Sequence, residues 1–138
     1  MKLRFLRLAA LAAGLTLTLA LRADPVLAGH AGFKGQALDD EAVKAVLLGK
    51  KPTLGDTRAV IIIAKAGAAQ DAFLQAHIAM NTGQFQNHWR RLFMTGSGSA
   101  PKVVETEAEA VKLAAETPGG IAVVDSAAAA GLVVLAAK

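Results

Sequence analysis

The six residues Ala59-Val-Ile-Ile-Ile-Ala64 constrain the fold more than any other segment. A strand with one wet face alternates apolar and polar side chains. A run that is apolar at every position, and β-branched from Val60 to Ile63, needs cover on both faces. That is the state of a central strand in a sheet flanked by helices. The flanking sequence supplies such helices. Asp39 is a good N-cap, Asp40 and Glu41 suit the positive helix end, and Val43, Val46 and Leu47 make one apolar face that stops at Gly49. Leu38 and Val43 are placed to form a hydrophobic staple. Lys50–Arg58, with Pro52 and Gly55, is expected to be a loop. Helices are expected over Ala68–Met80 and Gln84–Phe93, separated by a break at Asn81–Gly83. A further helix opens with a capping box, Thr106-Glu-Ala-Glu109, and closes before Pro118. Strands are expected at Val26–Ala28, Val103–Val104, Ile121–Asp125 and Leu132–Ala136. The order β-α-β-α-α-β-α-β-β predicts an α/β domain with a mixed, mostly parallel sheet flanked by helices.

Charge separates the chain into two parts. Of 15 Lys and Arg, four (Lys2, Arg4, Arg7 and Arg22) lie in the first 23 residues, which hold no acid. Residues 24–138 then carry 11 bases and 11 acids, so the formal charge of +4 belongs to the leader. Three early positive charges followed by the 14-residue apolar run Leu8–Leu21 read as an export signal. The run falls short of the roughly 20 apolar residues of a membrane span. Cleavage is expected after Ala23, with Ala20 and Ala28 as alternatives, because a cut after Ala28 would remove the first strand. The remainder, 24–138, is expected to be one exported, periplasmic domain with no membrane span after cleavage. An uncleaved anchor is the alternative.

The catalytic inventory is thin. The chain has no cysteine, which excludes thiol chemistry and Cys-ligated zinc. His30, His77 and His88 lack metal-ligand spacing, and neither a Gly-x-Ser-x-Gly elbow nor a phosphate-binding P-loop sequence occurs. No catalytic residue, metal or cofactor is expected. Arg90 and Arg91 beside Trp89 read as a helix surface rather than a nucleic-acid patch, given the balanced charge of 24–138. Gly96-Ser-Gly-Ser-Ala-Pro101 reads as a turn whose Ser97, Gly98 and Ser99 could form a small anion nest. Lys65 lies where the strand 59–64 ends and the next helix begins. In an open α/β sheet that is where anions bind.

Three segments in order resemble the substrate-binding proteins of phosphate ABC transporters, in particular their short single-lobe relatives. They are Leu38-Asp-Asp-Glu-Ala-Val-Lys-Ala-Val-Leu-Leu-Gly-Lys50, then Phe85-Gln-Asn-His-Trp89 with Phe93-Met-Thr-Gly96 and Pro101, then Thr117-Pro-Gly-Gly-Ile-Ala-Val-Val-Asp125. The resemblance runs from about Pro25 to Lys138. It implies one lobe of a type 2 periplasmic-binding-protein fold with its ligand at the strand ends. It also implies a ligand site at Lys65, Gly67, Ala69 and Gln70, where full-length members carry an Arg and a Ser-Gly-Thr run. Lys65 keeps the positive charge without the guanidinium fork. Ala68 and Ala69 bring no hydroxyl, and Gln70 is expected to donate one hydrogen bond.

The expected function is that of an exported, non-catalytic domain binding phosphate or another small oxyanion, with an ABC permease as partner. The alternative is a periplasmic interaction module that has lost phosphate binding and contacts another envelope protein.

Overall fold

In the computed structural model the described residues are 24–96 and 100–137. The leader and the Ser97, Gly98 and Ser99 nest lie outside them. The central sheet has the order β5-β4-β6-β1-β7. Its strands are β1 (Pro25–Gly29), β4 (Val60–Ala64), β5 (Lys102–Val104), β6 (Gly120–Asp125) and β7 (Val133–Ala137). β4 pairs parallel with both β5 and β6, while β1 runs antiparallel to β6 and β7. Four of the five strands therefore point the same way and β1 alone is reversed. The helices are α1 (Asp40–Leu47), α2 (Ala68–Ile78), α3 (Thr82–Met94) and α4 (Glu107–Glu116). The class is mixed α/β, with a mostly parallel sheet between helices, as expected.

β4 is covered on both faces. Ile61 and Ile63 enter a core shared with Phe33, Phe73, Phe85 and Trp89. Ile62 enters a second core with Ala110 and Ala114 of α4. The alanines set how closely α4 approaches. A Cβ on Gly120 of β6 would stand 3.0 Å from the Ala114 Cα, so helix and strand meet almost backbone to backbone.

Four local expectations are corrected. Within 50–58 the chain forms a small hairpin, β2 (Thr53–Leu54) with β3 (Thr57–Arg58), rather than an open loop. Its two-residue turn is Gly55-Asp56, and Gly55 supplies the required positive φ of 62°. α2 ends at Ile78 rather than Met80, because Ala79 turns left-handed and caps it. α3 starts at Thr82 rather than Gln84. Asn81 and Gln84 form a full capping box there, each side chain accepting the other's N–H. At α4 the expected box is only half made. Thr106 Oγ1 accepts from Glu109 N–H, but the Glu109 carboxylate reaches the N–H of Glu105, one residue earlier.

Candidate functional site

α2 leaves the carboxyl end of β4, and α4 leaves the carboxyl end of the neighbouring strand β5. Two helix N-termini therefore open at the same end of the sheet, each with main-chain N–H groups that lack carbonyl partners in their own helix. The residues expected to bind a ligand lie at this end.

Lys65 is the first residue past β4. Its Nζ donates to Glu105 Oε1 at 2.7 Å, and both side chains are exposed. That hydrogen bond, with the attraction of the same carboxylate, holds the Lys65 ammonium above its ordinary pKa. Gly67 is the N-cap of α2 and offers no side-chain cap. Ala69 is buried, with its side chain in the core.

Gln70 is fully buried and behaves differently from the expectation. Its Oε1 accepts from Ala64 N–H at 2.9 Å, and its Nε2 donates to Ala64 O and Thr82 Oγ1, both at 2.9 Å. Thr82 in turn donates through Oγ1 and N to Asp71 Oδ1, at 2.5 and 2.9 Å. Both amide protons of Gln70 are therefore committed to joining β4, α2 and α3. Its side chain has no donor left for a ligand, and only its main-chain N–H faces the site.

That N–H already has an acceptor. Glu107 Oε1, from the first turn of α4, lies 3.3 Å from Gln70 N. A Cβ on Gly67 would collide with the same carboxylate. The chain thus seats a carboxylate of its own at the end of α2 where an oxyanion was expected. Partial burial raises the Glu107 pKa, the Gln70 N–H partly offsets this, and Asp125 and Asp71 push it further up. The charges near this helix end are therefore mainly acidic, with Lys65 already paired. Sequence reading missed Glu107 because a Glu in the first turn of a helix is explained by that helix's own dipole.

The remaining candidates are structural. The Trp89 indole N–H donates to Leu47 O at 2.9 Å inside the core, so its ring is no base-stacking platform. His77 Nδ1 donates to Asp40, His88 Nε2 donates to Leu48 O, and His30 Nδ1 accepts from Gly32 N–H. Among the described residues no group of His, Asp and Glu is placed to hold a metal ion. No helix among them is long and apolar enough to cross a membrane.

No family model matches the chain, and no curated protein matches it. Among solved structures, it is similar to an ABC-type phosphate transport receptor from Vibrio cholerae, with a TM-score of 0.53 at 9% identity. The two share a fold. The match covers 81% of this chain and 45% of the receptor, so the chain spans less than half the receptor's length. The likeness carries the architecture, a mixed α/β domain, and leaves the ligand to the residues described above.

Proposed function

We propose that this chain is an exported, non-catalytic solute-binding domain of the kind that serves phosphate ABC transporters. Its ligand is a small oxyanion, phosphate foremost, held at the carboxyl end of β4. The observation that carries the reading is the coincidence of Lys65 and the N-terminus of α2 in a fold like that of a phosphate transport receptor. In this reading Glu107 holds the place of the ligand. An incoming oxyanion takes the main-chain N–H groups of the first turn of α2, draws Lys65 from Glu105, and moves the Glu107 carboxylate aside. Its export rests on the charged, apolar leader, and an ABC permease is the partner that such a role requires.

A second reading has a specific observation in its favour. With Glu107 on Gln70 N–H, and Asp71 and Asp125 adding negative potential, the site repels anions. The domain would then work as an interaction module that contacts an envelope protein.

Thermal unfolding with millimolar phosphate distinguishes the two, because a ligand bound only by the folded state must stabilise it. The first reading expects a higher Tm with phosphate, a larger rise in Glu107→Gln, and a smaller one in Lys65→Ala. It also fixes the sign of the pH dependence. The Glu107 pKa lies above the ordinary carboxylate value, so acid neutralises it sooner than an ordinary carboxylate, and binding of sulfate, an oxyanion whose own charge stays constant over that range, strengthens as the pH falls. No rise in either the native protein or Glu107→Gln rejects the first reading and leaves the second.

A further inference from the structure

A second, differently built recess begins at the opposite end of the parallel strands and continues along the edge strand β5. It consists of two compartments of about 220 and 250 Å³ that meet at Trp89 and Ala100. The first lies where β4 and β5 begin, beside the exit of α1, and is bordered by Lys51, Arg58 and Lys102 over a floor that includes Ile61. The second runs between α3 and the edge strand β5. It is lined by Ile63, Phe93, Pro101 and Val103, with Arg90 at its border. Phe93 and Val103 are 59% and 49% exposed, two of the four large apolar side chains left in water among the described residues. Among the described residues no carboxylate borders either compartment.

Charge is uneven here in a domain whose residues 24–138 balance. Acids collect around the first turns of α1 and α4, whereas four bases border this recess. Lys51 and Lys102 enter no ion pair among the described residues. Gly49 helps to shape the wall. It has a φ of 82°, and a Cβ there would stand 2.9 Å from the Trp89 ring. A concave, mostly apolar recess with a few charges of one sign at its border has the make-up of a small-molecule site, and the joint volume falls within the roughly 300–1,000 Å³ usual for one.

We infer that this recess binds a small organic anion with an apolar body, such as a medium-chain carboxylate. The carboxylate faces Lys51 and Lys102, and the hydrocarbon lies along Trp89, Phe93 and Val103. Size and charge together favour this occupant. A bare inorganic anion would leave the apolar compartment wet, and a neutral hydrocarbon would gain nothing from Lys51 and Lys102. Lys65, Gly67 and Gln70 do not border the recess, and its occupancy does not depend on phosphate binding at those residues.

Trp89 is the only tryptophan of the chain and borders both compartments, so its fluorescence reads the recess directly. Octanoate is the probe, octanamide its uncharged isostere, and inorganic phosphate the control for a bare anion. The expected result is a saturable change in Trp89 emission with octanoate and none with phosphate. Octanamide should bind about tenfold more weakly, and the double variant Lys51→Gln/Lys102→Gln should lose a similar factor. Phe93→Ser, at an exposed position, should weaken octanoate without lowering Tm. Absence of a saturable octanoate response up to 10 mM (roughly the weak-affinity limit) overturns the assignment. Equal binding of octanamide, or an unchanged double variant, does so too. A solution dimer that Phe93→Ser dissociates, with no octanoate response, overturns it in favour of a second copy of the chain. The phosphate experiment is read by Tm at the other end of the sheet, so either inference can fail without the other.

Discussion

Gln70 is the residue whose role the structure changes most. A fully buried polar side chain is tolerable only when its hydrogen-bonding groups are matched, and here the carbonyl and both amide protons have partners. Gln70→Leu keeps much of the shape but strands the N–H and C=O of Ala64 and removes a donor from the Thr82 hydroxyl. The expected loss of stability is about 2–4 kcal/mol, from the cost of leaving buried polar groups unsatisfied. Urea unfolding measures it, and a loss below about 1 kcal/mol would mean that water replaces the amide. Nothing in the order Lys65-Ala-Gly-Ala-Ala-Gln70 announces this role. A glutamine in the first turn of a helix is ordinarily wet, and only the packing of α3 against β4 and α2 buries it. Glu107 is hidden for a related reason. Its partner lies 37 positions earlier in the chain, and the two meet only because β4 and β5 are neighbours.

At the scale of elements, end chemistry decides where each helix starts. Asn81 and Gln84 hold each other's N–H groups at the start of α3, the helix that carries Phe85 and Trp89 into the core. Asn81→Ala should cost about 1 kcal/mol, the usual worth of an N-cap. A Tm scan checks it, and an unchanged Tm would show that tertiary packing alone holds the first turn. The apolar period of α1 was legible because its face, Val43, Val46 and Leu47, matches buried residues. The strand 59–64 was legible because no polar residue interrupts it. The hairpin at 53–58 was not, since two residues per strand are too few to display a period of two. The reciprocal bond at Thr106 was misassigned because the Glu109 side chain has two N–H groups within reach, and sequence cannot rank them.

For the molecule as a whole, the two cores are not independent. Successive residues of β4 feed opposite ones, Ile61 and Ile63 on one face and Ile62 on the other, and Leu27 and Ala28 of β1 divide in the same way. Melting one face would strip cover from strands that also carry the other. Unfolding should therefore be a single cooperative transition, with Trp89 emission (reporting the face with α3) and far-UV circular dichroism giving coincident urea midpoints. Separated midpoints would mean that α4 and its alanine-lined face detach first. The sign and place of the charge were also legible at this scale, since setting aside the four bases of residues 1–23 leaves a balanced remainder. The clustering of that remainder, acids at two helix starts and bases around the recess at α3 and β5, was not. It depends on which strand ends the topology brings together.

The position of β1 bears on how the molecule is made. This strand is the first described element, yet its two neighbours in the sheet are the last two strands, β6 and β7. All five of its residues are buried. A chain growing from its N-terminus thus makes β1, α1, β4, α2, α3, β5 and α4 before either neighbour of β1 exists. The contacts that complete the sheet span the longest separations in the sequence, the kind that form slowly because the intervening loop must close first. Late closure keeps the sheet incomplete, with β1 lacking both partners, until β6 and β7 have been made.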